Sequence, residues 1–137
     1  MFRQGQRVKR GSSPKIILWN NALVTALHLK SFAETRKDHE WWGCLVENAV
    51  GGHLLNHLHE TAGELYYWRQ RDFEVDFVLK TAEKTVAIEV KSSRPRVSKG
   101  LEAFLKRYPK AVPVIIGPGG IALEEFFTMS LDKLPGL

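Results

Sequence analysis

Residues 73–91 read FEVDFVLKTAEKTVAIEVK, and two runs within them alternate with the period of a half-buried strand. In Phe73–Lys80, Phe73, Val75, Phe77 and Leu79 share one face, which leaves Glu74, Asp76 and Val78 on the other. In Thr85–Lys91, Val86, Ile88 and Val90 share a face, with Ala87, Glu89 and Lys91 opposite. The tetrapeptide Thr81-Ala82-Glu83-Lys84 is the turn between them. An even turn pairs Lys80 with Thr85. Continued along both strands, that register sets Asp76 across from Glu89 and Glu74 across from Lys91.

Opposed side chains in a hairpin have Cβ atoms about 5 Å apart, and like charges so placed repel. Two carboxylates in that relation call for a cation, and a hard divalent ion with oxygen ligands, Mg²⁺ or Mn²⁺, neutralises them best. Lys91 lies two residues beyond Glu89 on the same face, about 6.6 Å along the strand. There its ammonium can hold a water or stabilise charge developing on a phosphate. Metal ligands, a metal-bound water and a nearby ammonium are the parts of a phosphodiester hydrolase. The same residues also compose an ordinary solvated sheet face of ion pairs with no metal, and the pattern alone leaves both open.

Ahead of the hairpin, Trp42, Leu45, Val46, Ala49, Val50, Leu54 and Leu58 keep a helical beat, which predicts a helix over Trp41–Glu60. Gly51 and Gly52 within it call for a bend or close packing. Upstream, Asn20 or Asn21 can cap a helix over Ala22–Leu29, and the polar stretch Ser31–Glu40 reads as a loop. Leu65–Arg69 is aromatic and strand-like, and Gln70-Arg71-Asp72 punctuates it. Ser98 is placed to cap a helix ending at Tyr108, before Pro109. Val112–Ile116 is a short buried strand stopped by Gly117-Pro118-Gly119-Gly120, and the tail holds one short helix. The order is α-β-β-β-α-β, an α/β fold in which a mixed sheet is flanked by helices and the last crossover makes a parallel pair. Residues 1–13 carry four cationic side chains and read as a basic arm or linker stub ahead of a domain over 14–137.

The quoted residues resemble a known superfamily. Asp76 followed by Glu89-Val90-Lys91 is similar to the D…ExK signature of the PD-(D/E)XK, restriction-endonuclease-like proteins, whose core has the same α-β-β-β-α-β order. Glu47 matches the acidic residue that many members carry on the preceding helix. The segments Gly43-x-Leu45-x-Glu47-x-x-Val50, Leu65-Tyr66-Tyr67-Trp68-Arg69, Glu74-Val75-Asp76-Phe77-Val78-Leu79 and Ala87-Ile88-Glu89-Val90-Lys91-Ser92-Ser93 resemble more closely the DUF4143 domain. That domain is found at the C-terminus of predicted bacterial and archaeal AAA+ ATPases.

The resemblance implies Asp76, Glu89 and Lys91 as catalytic residues and Asp76, Glu89 and Glu47 as metal ligands. It implies DNA and an AAA+ ATPase, in the same or a neighbouring chain, as partners. A Val stands at position 75 where many nucleases have Pro. No G-x-x-x-x-G-K-[ST] phosphate loop is present, so the chain reads as a domain detached from its ATPase. The expected function is a metal-dependent, nuclease-like, DNA-associated domain. The alternative is a catalytically inactive module of the same fold, used for protein interaction or for a homodimer.

Composition narrows the classes. The 137 residues hold 20 Lys+Arg against 15 Asp+Glu, a formal net charge of +5 that permits an anionic partner without demanding one. No apolar run approaches the roughly 18 residues of a membrane span, and a single cysteine excludes a disulfide framework. The cytoplasm is the default compartment. Arg69, Arg71, Ser92, Ser93 and Lys99 are candidates for phosphate contacts; each also serves as an ordinary surface or turn residue. His53 and His57, four apart with His59 nearby, have helical zinc spacing but no third ligand. Cys44, beside Leu45, reads as a small buried residue.

Overall fold

The computed structural model describes residues 15–26, 28–93 and 98–137, and side chains at 59–61 are outside that description. The basic arm expected at the N-terminus and the side chain of His59 therefore lie outside the described residues. A four-stranded sheet, in the order β1-β2-β3-β4, forms the centre. Its strands are β1 Glu64–Gln70, β2 Phe73–Lys80, β3 Thr85–Val90 and β4 Val112–Ile116. The first two pairings are antiparallel and β3 pairs with β4 in parallel. The mixed α/β sheet expected from the alternating runs is present, flanked by helices.

Among the described residues five helices accompany it: α1 Asn21–Ala26, α2 Phe32–Lys37, α3 His39–Thr61, α4 Lys99–Arg107 and α5 Leu123–Thr128, followed by a 3-10 turn at Leu131–Lys133. The first helix is shorter than its pattern suggested. The segment read as a loop contains α2, because Ser31 and Glu34 form a reciprocal capping box. The Ser31 side chain accepts from Glu34 N, and the Glu34 carboxylate accepts from Ser31 N at 2.8 Å. Asp38 ends α2 and starts α3, its Oδ1 accepting from Trp41 N at 3.1 Å. In α4 the Ser98 hydroxyl accepts from Leu101 N at 3.1 Å, as the cap pattern predicted.

Two apolar clusters sandwich the sheet. On one side, Val50 and Leu54 of α3 pack with Phe77, Leu79, Val86, Ile88, Val114 and Ile116, joined by Phe126, Leu131 and Leu134 from the tail. On the other, Leu101 and Phe104 of α4 pack with Trp68, Val75, Val78 and Ala87. Gly51 lets α3 lie flat on the sheet, since a Cβ there would come within 2.8 Å of the Phe77 ring. Close packing, rather than a bend, explains that glycine.

One expectation about faces is corrected. Val75 was placed with Phe77 and Leu79, yet it belongs to the α4-side cluster with Val78. The reason is a β-bulge. Tyr66 pairs with Val78 and Trp68 with Val75, so Asp76 and Phe77 together oppose Tyr67. One extra residue reverses the alternation beyond it and re-aims the bulged side chains.

Candidate functional site

The register predicted for β2 and β3 holds from Lys80↔Thr85 to Phe77↔Ile88. The ladder stops one pair short of Asp76 and Glu89. There a side chain takes over from the backbone: Asp76 Oδ2 accepts a hydrogen bond from Val90 N at 2.8 Å. The bulge and this hydrogen bond together fix the carboxylate in the cleft where the strands part. On the far side, β2 meets α4 so closely that a Cβ on Gly100 would lie 1.8 Å from the Glu74 carbonyl oxygen.

Glu89 is buried, and its Oε1 accepts from Lys91 Nζ at 2.6 Å. The two residues share a face, as the alternation predicts, and the ion pair between them is a contact the sequence reading did not anticipate. Its Oε2 is buried without a hydrogen bond among the described residues. Burial pushes the Glu89 carboxyl above the ordinary range, helped by the negative charge of Asp76 and opposed by Lys91. The Ser98 side chain also favours the charged form.

Glu47 projects from α3 toward the same cleft. Burial raises its pKa, and Asp76 raises it further, while Lys15 pulls it back. Lys15 is the residue that sequence reasoning missed. Its ammonium is ion-paired with Glu47 and lies 3.5 Å from Asp76 Oδ1, and it donates to the Asp76 carbonyl oxygen at 3.1 Å. Lys15 is 32 positions from Glu47 and 61 from Asp76, so no local pattern marks it.

A hard divalent ion suits the chemistry of this donor set, and Glu89 Oε2 is buried without a hydrogen bond among the described residues. No three His, Cys, Asp or Glu side chains among the described residues gather closely enough to hold a metal by themselves. A Mg²⁺ ion needs only one or two carboxylates, with water and substrate phosphate completing its shell. Asp76 and Glu89 suffice on that count.

The other candidates are dispersed. Arg69 is exposed and faces Glu74 at 3.8 Å, so Glu74 has this partner rather than the Lys91 expected for it. Arg71 sits at φ 55° in the β1–β2 turn and is exposed, as are Ser93 and Lys99. Ser92 is half-buried beside the start of α3, where a Cβ on Gly43 would approach its Oγ to 3.5 Å. His53 and His57 stack at 4.3 Å, and Phe126 and Phe127 pack on His53. Cys44, expected to be buried, is exposed on α3. Partial desolvation and the charges of Glu47 and Glu40 raise its pKa, which disfavours the thiolate.

A family model described as Domain of unknown function (DUF4143) matches residues 42–130. The chain belongs to the DUF4143 family. No curated protein and no solved structure matches it. The DUF4143 segment holds Glu47, Asp76, Glu89 and Lys91, whereas Lys15 lies ahead of it. No helix among the described residues is long and apolar enough to cross a membrane.

Proposed function

We propose that this DUF4143 domain is a nuclease-like, DNA-associated module in which Asp76 and Glu89, with Glu47 beside them, hold Mg²⁺ or Mn²⁺ for phosphodiester hydrolysis. The observation that carries the reading is the junction of Asp76, Glu89 and Lys91 at the end of the β2–β3 ladder, with Glu89 Oε2 buried and without a hydrogen bond among the described residues. A divalent ion held there would polarise a phosphoryl oxygen and acidify a bound water. Lys91 is held at Glu89 by a charge-assisted bond, which leaves its remaining N–H groups to stabilise charge on a phosphate in the transition state. Asp76 is held in the cleft by its hydrogen bond from Val90 N. The formal charge of +5 suits a polyanion. A cytoplasmic site of action and an AAA+ ATPase partner complete this reading.

The test is cleavage of plasmid and branched DNA with Mn²⁺, beside filter binding at several salt concentrations. Lys91→Ala should lower cleavage by about 100-fold or more while changing binding little, because one phosphate contact is a small part of DNA affinity. If the wild-type protein neither cuts any DNA form nor binds it at low salt, the nuclease reading fails.

A second reading has its own observation. The Lys15 ammonium already neutralises part of the acidic cluster, and Trp19, Leu23, Leu29 and Phe32 expose apolar surface near α1 and α2. These suit a catalytically idle module that binds a protein partner or a second copy of itself. Light scattering together with a null cleavage result would favour it.

A further inference from the structure

The acidic cluster contains a cation supplied by the chain itself. The Lys15 side chain is 17% exposed and ion-paired with Glu47. Its Nζ also reaches both the carboxylate and the carbonyl of Asp76 and lies 4.8 Å above the centre of the Phe77 ring. Carboxylate, carbonyl and aromatic face all favour positive charge at this point.

We propose that Lys15 is an internal counter-ion that occupies the cation position between Glu47 and Asp76 and leaves it when a divalent metal binds; this rests on the metal-binding reading of the cluster. Charge balance gives the reason. With every group ionised, Glu47, Asp76 and Glu89 against Lys15 and Lys91 leave one net negative charge. A divalent ion added beside a docked Lys15 turns that into one net positive charge in a partly buried cleft. Departure of Lys15 brings the cluster to neutrality. Two like charges competing for Asp76 repel at close range, and low local polarity strengthens the repulsion.

The chain is built to allow the exchange. Lys15 lies in an irregular segment before α1. That segment is pinned three residues later, where Leu18 N donates to Asn48 Oδ1 at 2.9 Å and Asn48 Nδ2 donates to the Leu18 carbonyl at 3.1 Å. The anchor is on the backbone of Leu18, so the Lys15 side chain can swing out without releasing the segment from α3. Metal binding and lysine docking are then coupled in opposite senses, and each weakens the other by the same factor.

The full chain, stripped with EDTA and titrated with Mn²⁺, tests this in two ways. Brief acetylation with an N-hydroxysuccinimide ester, mapped by mass spectrometry, reports the accessibility of each lysine. Lys15 should react slowly without metal and several-fold faster with saturating Mn²⁺, while the exposed Lys99 and Lys110 stay unchanged. Calorimetric titration of Lys15→Met should show Mn²⁺ binding about tenfold tighter than wild type, and Lys15→Arg should resemble wild type. Bound Mn²⁺ with Lys15 equally or less reactive overturns the proposal, as does unaltered affinity in Lys15→Met. If the wild-type protein and both variants bind no Mn²⁺, the metal reading itself fails and the proposal with it. The labelling arm uses the wild-type chain, so a variant that does not fold leaves the question decidable.

Discussion

The carboxylate of Asp76 completes a hydrogen bond to the backbone of Val90 at the point where β2 and β3 stop pairing through their main chains. A candidate catalytic side chain is thus also a fastener for the sheet. Asp76→Ala should cost about 2 kcal/mol, because it leaves a Val90 N–H unpaired and removes a charge-assisted bond. Asp76→Asn keeps an acceptor and should cost less. Denaturant unfolding in metal-free buffer measures both, and equal stability of the alanine variant and wild type would show the bond to be unimportant.

Asn48 ties the segment before α1 to α3 through both polar groups of Leu18 and through Asn21 Oδ1, which accepts from Asn48 Nδ2 at 3.0 Å. Asn48→Ala should destabilise by about 2 kcal/mol. It should also increase acetylation of Lys15, since its segment loses its anchor. A stability loss with Lys15 still protected would mean that the Glu47 and Asp76 contacts alone hold the segment.

Acidification gives a prediction with a definite sign. Glu47 and Glu89 are raised above 4.5, chiefly by burial, so between that value and their raised values the folded chain binds more protons than the unfolded one. Stability should therefore increase as pH falls through this window. Glu34 and Asp38 are lowered, by Ser31 and Lys30 respectively. Their contribution is present above the ordinary carboxylate values and is lost as pH drops through the lowered ones. Melting temperature in EDTA should pass through a maximum on the acid side of neutrality. Glu47→Gln with Glu89→Gln should flatten the rising limb, and an unchanged limb would assign it to other groups.

The helix α3 ends at Ala62 with φ 47° and ψ 36°, a left-handed conformation that a side chain makes unfavourable. Ala62→Gly should stabilise the protein by about 1 kcal/mol, visible as a higher melting temperature. A lower one would show that added freedom in the unfolded chain outweighs the relieved strain.

Much of this was readable in advance because short-range patterns governed it. Strict alternation and the even turn located β2 and its register with β3, and Ser98 marked the start of α4. The bulge was not readable. Phe73, Val75, Phe77 and Leu79 satisfy a regular strand, and only pairing with β1 reveals the extra residue. The helix α2 did have a signal, Ser31-x-x-Glu34, masked by the polarity of its surroundings. Within the site, Glu89 and Lys91 meet because a strand repeats every two residues. Lys15 meets Glu47 only through tertiary packing, which leaves no trace in local spacing.

The path of residues 15–20 across α3 bears on how the domain is handled in the laboratory. A truncation drawn to the family boundaries would begin after Lys15 and retain Glu47, Asp76 and Glu89. Such a fragment would keep every residue of the acidic motif, yet it would shed one neutralising charge and both main-chain partners that Leu18 offers Asn48. If Lys15 is the counter-ion proposed above, its appetite for cations would exceed that of the parent chain, and metal affinities measured on it would describe the fragment alone.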